Sequence, residues 1–90
     1  MQQDEAQALA LRAVAWLASD SAALGRFLAE SGIGPADLRQ AVGDAAFLAG
    51  VLDHLLADER RLLAFCQADN IAPAKPAAAR RLLPGAAPHD

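Results

Sequence analysis

A small group of titratable side chains occurs at Asp53, His54, Asp58 and Glu59. His54 and Asp58 are four residues apart and would share one face of a helix. The pair offers at most two metal ligands, whereas catalytic zinc generally takes three from the protein. We therefore expect Asp58 to cap a helix, and we predict no metal, cofactor-binding or catalytic residue here.

The chain has one cysteine, Cys66, four residues after Leu62 on the apolar face of a predicted helix. A lone cysteine excludes an intramolecular disulfide and a cysteine-rich metal site, which fits a reducing compartment. Helical spacing brings no base to the thiol. We interpret Cys66 as a buried side chain and predict that the protein is not an enzyme.

The segment Ser31–Pro35 reads Ser-Gly-Ile-Gly-Pro. A Gly-apolar-Gly turn between helices resembles the helix-hairpin-helix element, whose backbone N–H groups bind DNA phosphate. Arg80 and Arg81 would add positive charge, although no aromatic residues for base stacking are interleaved with them. The surrounding sequence is acidic and repels phosphate. Nucleic-acid binding through the Gly32–Pro35 turn and these arginines is therefore the alternative function.

Helices must position these residues. The longest apolar pattern in the sequence predicts two helices. Across Phe47–Cys66, large apolar residues recur at helical spacing, with a break at Asp58-Glu59. The apolar arc of the first helix is wider than a surface helix needs. We predict that Asp44–Ala57 is the central helix of the molecule.

Capping residues divide the N-terminal part of the chain. Asp4 is the predicted N-cap of a first helix that runs to about Ala18. Asp20 or Ser19 caps the second helix, and Gly32 ends it because glycine accepts the left-handed conformation at a helix C-terminus.

A second set of residues divides the rest. Pro35 suits the first position of a third helix, and Asp58 caps a fifth. A sixth helix should end near Leu83, although Pro76 must start or distort it because proline cannot sit in a helix interior.

The pattern recurs after 38 residues. The matched pairs share a structural role as cap, apolar contact, turn anchor or helix start: Leu17 with Leu55, Asp20 with Asp58, Leu24 with Leu62, Phe27 with Phe65, Ile33 with Ile71, and Pro35 with Pro73. The predicted fold is therefore all-α, a compact bundle of five or six short helices built as two pseudo-repeated three-helix units. Two copies are too few for an open solenoid, so the units should face each other over one core.

The chain has 90 residues, which is the length of one small domain. We predict a helical domain over residues 1–83 and a disordered tail over residues 84–90. The net charge of −3 conceals an asymmetry: residues 1–59 carry −6 and residues 60–83 carry +4. No secretory signal or membrane-spanning run is visible, so the expected location is the cytoplasm.

Two stretches resemble a known family. Leu24–Arg39 (LGRFLAESGIGPADLR) and Phe47–Cys66 (FLAGVLDHLLADERRLLAFC) are similar to small bacterial proteins grouped as domain-of-unknown-function family 3572. The likeness extends from about Ala6 to Leu83. It implies a compact, helical, cytoplasmic bacterial protein and carries no activity, cofactor or functional residue with it.

The predicted function is a non-catalytic protein-interaction or regulatory module with a protein partner. Nucleic acid is disfavoured as a partner, and no membrane association is expected. The sequence does not identify the partner or the oligomeric state.

Overall fold

The structure, a computed structural model, describes residues 1–85. Its six α-helices are α1 (Gln3–Ala18), α2 (Ser21–Ser31), α3 (Leu38–Ala41), α4 (Ala45–Leu56), α5 (Glu59–Asp69) and α6 (Lys75–Arg81). A 3-10 turn at Pro35–Asp37 leads into α3. No strand occurs between Met1 and Gly85, and the all-α prediction is confirmed.

Aspartate side chains start three of the helices. Asp20 accepts hydrogen bonds from the second and third backbone N–H groups after it, and Asp58 does the same. Asp44 caps α4 in a similar way, with 2.9 Å between its Oδ1 and the nitrogen of Ala46. Because each cap satisfies N–H groups that have no partner within the helix, these residues determine where the helices begin.

The prediction that Asp4 caps α1 is wrong. Gln2 is the capping residue, and its backbone N–H donates to Glu5 Oε1 at 2.8 Å. Asp4 lies in the first turn, where its charge still faces the positive end of the helix dipole.

Two helices end in the same manner. Gly32 closes α2 with φ of 74° and Asn70 closes α5 with φ of 56°, both left-handed. The next residue in each case donates its N–H to a carbonyl five residues back, Ile33 to Leu28 at 3.0 Å and Ile71 to Cys66 at 2.8 Å. This is the hydrogen bond of a Schellman motif, which uses carbonyl groups that the helix leaves free.

The two proline-initiated segments differ. Pro35 begins the 3-10 turn rather than an α-helix, and α3 contains a single turn. Pro76 is in the first turn of α6, where its missing N–H costs nothing. The helix ends at Arg81, two residues before the predicted end at Leu83.

The core forms where α1, α4 and α6 pack on one another, with α2 against α1 and α5 against α4. α4 supplies Val51, Leu52 and Leu55, all fully buried. It packs on α1, α5 and α6, whereas α1 packs on α2, α4, α5 and α6, so the two helices share the central position. Phe65 is also fully buried, whereas Leu62, expected inside, is only partly buried at the edge of the core. The radius of gyration of 12.2 Å is that of a compact domain of this size.

The internal repeat stays a prediction. Caps and helix ends agree between the proposed units, but their third members do not. α6 packs on both α1 and α4, whereas the short α3 packs mainly on the 3-10 turn that precedes it.

The predicted disordered tail falls largely on residues 86–90, which lie outside the described residues. Pro84 and Gly85 are described, and their carbonyl oxygens accept hydrogen bonds from Arg80 at 3.2 and 3.0 Å. Within residues 1–85, every helix is too short or too polar to cross a bilayer.

Candidate functional site: the groove between α2 and α4

His54 is the titratable residue most enclosed by its neighbours in this groove. Its side chain is 11% exposed, and its ring centroid lies 4.9 Å from that of Phe27 on α2. The Nδ1 atom is 3.5 Å from Glu30 Oε1, a separation too long for a strong hydrogen bond. The imidazole is therefore held mainly by packing against an aromatic ring.

Arg61 closes one end of the groove. Its Nη1 atom donates to the carbonyl oxygen of His54 at 2.6 Å. Its Nη2 atom is 3.5 Å from Asp58 Oδ2. The guanidinium thus joins the last turn of α4 to the first turn of α5, where it complements the negative end of the α4 dipole.

These surroundings lower the pKa of His54 below its ordinary value of 6.5. Burial is the main cause because it disfavours the charged imidazolium. The positive charges of Arg61 and Arg26 lower the pKa further, whereas the carboxylates of Glu30 and Asp58 raise it. His54 is consequently a neutral imidazole at neutral pH.

Asp53 and Asp58 line the same concavity as His54, but each is engaged elsewhere. Asp53 points to α6, where its Oδ1 is 2.6 Å from Arg80 Nε. Asp58 caps α5, and Glu59 is an exposed residue of the first turn of that helix. In the part of the chain that the structure describes, no three His, Cys, Asp or Glu residues converge as a metal site.

Glu30 is the member of the site that sequence reasoning missed. It is 24 positions before His54 and belongs to another helix, so no local spacing connects the two. The available signal was the position of Glu30 three residues after Phe27, which places both on one side of α2. Using it required knowing that α2 lies beside α4.

The groove has two connected parts. A concavity of about 490 Å³ contains His54, Glu30, Arg61 and the charged residues beside them. A second of about 390 Å³ is lined by Phe27, Ser31, Ile33, Asp44, Ala46, Phe47 and Gly50. The two share Phe27, Ser31 and Gly50, so one continuous surface runs along α4.

Gly50 leaves the middle of this surface open. A Cβ atom added there would meet nothing within 4 Å outside the local helix backbone. Ser31 lines the same space, and its hydroxyl donates to the carbonyl oxygen of Phe27 at 2.8 Å. The arrangement offers an aromatic and aliphatic floor with charged groups at its edge.

One comparison identifies a family. A family model described as "Protein of unknown function (DUF3572)" matches residues 3–86. The chain is a member of the DUF3572 family. Comparisons with curated proteins and with solved structures find no match.

Cys66 of this DUF3572 protein is a free, buried thiol. It is 3% exposed, and burial raises its pKa above the ordinary value of 9.0. A raised pKa keeps the thiol protonated and a poor nucleophile at neutral pH. The structure thus supports the interpretation of Cys66 as a core residue.

The Gly32–Pro35 turn of the DUF3572 chain is exposed except for Ile33, which packs on the core. The N–H groups of Gly32 and Ile33 already bond to carbonyl groups of α2. Asp37 is close by, since a Cβ on Gly34 would lie 3.4 Å from its Oδ2 atom. The two bonded N–H groups are not free to bind phosphate, and the nearby carboxylate repels it. Both features weaken a phosphate site at this turn.

The C-terminal arginines have different surroundings. Arg80 binds Asp53 and also donates to the carbonyl groups that follow α6. Arg81 is exposed. Arg80 therefore acts as a structural clamp between α4 and the end of α6, which leaves Arg81 as the exposed member of the pair.

Proposed function

We propose that this DUF3572 protein is a non-catalytic protein-interaction or regulatory module of the cytoplasm, and that the groove between α2 and α4 is its binding surface. The observation that carries the proposal is the continuous groove itself. Its floor includes Phe27, Phe47 and the ring of His54, and carboxylates stand at its edge. Aromatic residues within a polar rim are typical of the centre of a protein interface.

A non-catalytic role is supported by how the reactive side chains are engaged. Asp58 caps a helix, Asp53 binds Arg80, and the Ser31 hydroxyl bonds to the backbone. The neutral His54 has an exposed glutamate as its nearest carboxylate. A nucleophile oriented by a base is the usual basis of covalent catalysis, and these contacts serve structure instead.

The proposal is tested by blocking the groove and comparing the proteins that bind. Ala46 is an exposed residue that lines it, so Ala46→Trp should fill it from the surface without replacing a core residue. Ala64→Trp places the same bulk on an exposed position of α5 as a matched control. Each intact variant is immobilised in native lysate, and retained proteins are quantified by mass spectrometry.

A protein retained by the wild type and by Ala64→Trp, but lost with Ala46→Trp, supports the proposed function. Equal retention by all three, or no retained protein, contradicts it. Thermal melts of both variants establish that they are folded before retention is compared.

The alternative is nucleic-acid binding through the Gly32–Pro35 turn and the C-terminal arginines, and the observation in its favour is the exposed Arg81. Mobility-shift titrations with duplex DNA distinguish the two functions. Retention at micromolar protein that weakens steeply with salt would favour the alternative, because such binding releases counterions from phosphate.

A further inference from the structure

Arg12 on α1 binds the C-terminal end of α5. Its Nε atom donates to Asp69 Oδ2 at 3.2 Å, and its Nη2 atom donates to the Asp69 carbonyl oxygen at 2.8 Å. Asp69 is in the last turn of α5, which has no basic residue of its own. The guanidinium therefore supplies positive charge where the helix dipole and a carboxylate are both negative.

The surroundings of Arg12 have counterparts 38 residues away. Arg12 lies in a concavity whose lining includes Ala8, Leu9, Asn70 and Ile71. Their counterparts at this offset lie near the end of α2: Ala46, Phe47 and Ile33 line the groove, and Gly32 lines a neighbouring concavity that shares Ile33. Both helix ends are left-handed and close with the same hydrogen bond.

The end of α2 has no arginine that corresponds to Arg12 at the end of α5. The counterpart of Arg12 is Gly50, and the counterpart of Asp69 is Ser31. Among residues 1–85 no donor reaches the Ser31 carbonyl oxygen, although the equivalent oxygen at Asp69 accepts from Arg12. Ser31 and Gly50 both line the concavity of about 390 Å³, and a Cβ atom on Gly50 would meet nothing within 4 Å there.

The charge at this place favours a cation. The last turn of α2 has no basic residue and carries Glu30, whose side chain is 68% exposed. The nearest partner of that carboxylate is the imidazole of His54 at 3.5 Å. Arg61, at the other end of the groove, is already held by the His54 carbonyl and Asp58.

We propose that the groove over Gly50 receives an arginine side chain of a partner protein, which binds the Ser31 carbonyl and the Glu30 carboxylate as Arg12 binds Asp69. The inference rests on the proposed function, since it specifies the chemistry of the partner. A guanidinium suits the site better than an ammonium because its planar fork reaches two acceptors together. Ile33 and Phe47 provide an apolar wall for the aliphatic stem.

The first test is a titration of the ¹⁵N-labelled protein with N-acetyl-L-arginine amide, followed by heteronuclear NMR. We expect saturable shifts of the amides of Ser31, Gly32, Ile33 and Gly50. N-acetyl-L-citrulline amide has nearly the same shape without the charge and should cause much smaller shifts. Equal responses to both compounds, or no shifts at these amides, would overturn the inference.

Two variants make the test specific. Gly50→Arg should occupy the site from within the chain and weaken binding of the arginine amide more than tenfold. Gly25→Arg adds the same side chain at another helical glycine with free space, and it should bind like the wild type. Glu30→Gln should weaken binding about tenfold, as the loss of a charge-assisted hydrogen bond does.

Unchanged binding by Gly50→Arg contradicts the assignment, whatever the result with Glu30→Gln. The failure of this inference is distinct from that of the proposed function. A partner lost with Ala46→Trp but retained by Gly50→Arg means that the groove binds a protein without this arginine. Sedimentation velocity tests whether the protein binds itself. If the wild type self-associates and Gly50→Arg does not, the arginine comes from a second copy of this chain, and the proposal of a different partner protein is overturned.

Discussion

The rings of Phe27 and His54 lie 4.9 Å apart at an angle of 56°. Their counterparts at the 38-residue offset, Phe65 and Trp16, form a similar pair at 5.7 Å and 57°. Each pair joins one ring from the first proposed unit to one from the second, so the two contacts are reciprocal. The smaller imidazole occupies the place that the indole has in the other pair, and this contact contributes to its burial.

The lowered pKa of His54 predicts how stability depends on pH. The unfolded chain, with a histidine pKa near 6.5, binds a proton more readily than the folded protein. The stabilisation should therefore be complete above about pH 6.5 and should be lost as pH falls through that value. Urea unfolding midpoints between about pH 5 and 8 measure this dependence.

The control for this measurement is His54→Gln, with His89 replaced by glutamine in both proteins. The mutant should lack the part of the pH dependence that His54 causes. If the protein with His54 instead gains stability relative to the mutant on acidification, the attraction of Glu30 and Asp58 exceeds the effect of burial.

Truncation of Leu55 tests the position of the core. Leu55 is fully buried on α4, so Leu55→Ala should cost about 2–5 kcal/mol through lost transfer energy and a cavity. Leu63→Ala on α5 is the matched control, because Leu63 is 43% exposed and its loss should change stability by less than about 0.5 kcal/mol. Similar urea midpoints for the two variants would show that the core is misplaced.

Two glycine substitutions should have opposite effects. Gly50→Ala should stabilise the protein by about 0.5–1 kcal/mol, because alanine favours the helix and its Cβ meets free space. Gly32→Ala should destabilise it, because the φ of 74° is strained for any residue with a Cβ. Thermal unfolding of both variants provides the comparison, and a gain in stability from Gly32→Ala would contradict the observed helix end.

Loss of a helix cap should be measurable at Asp58. Asp58→Ala removes the acceptor for two N–H groups of α5 and should cost about 0.5–2 kcal/mol. Asp4→Ala should cost less, because Asp4 contributes only a favourable charge in the first turn of α1. Chemical denaturation of the two variants measures the difference, and equal losses would mean that Asp58 has no special capping role.

Most of the helix boundaries were predictable because they depend on short-range interactions. The caps at Asp20, Asp44 and Asp58 bond to N–H groups two or three residues away. The left-handed end at Gly32 closes with an equally local hydrogen bond. Asp4 was chosen wrongly because acidic residues favour the whole first turn, so composition does not single out one position.

The groove could not be predicted in the same way, since its parts come together only when helices pack. Glu30 and His54 are 24 residues apart, and neither carries a signal that names the other. Helical spacing brought only Asp58 to the same face as His54. The nearer carboxylate came from α2.

The sequence by itself determined most of the helices, the caps at Asp20, Asp44 and Asp58, and the apolar faces, since backbone hydrogen bonds and helical spacing act over a few residues. Only the tertiary structure decided which charges meet, because contacts such as Arg12 with Asp69 and Arg80 with Asp53 join distant segments. It also decided that Gly50 faces an open groove. The sequence shows that position 50 has no side chain, but only the packing of α2 beside α4 shows that the free space belongs to a groove.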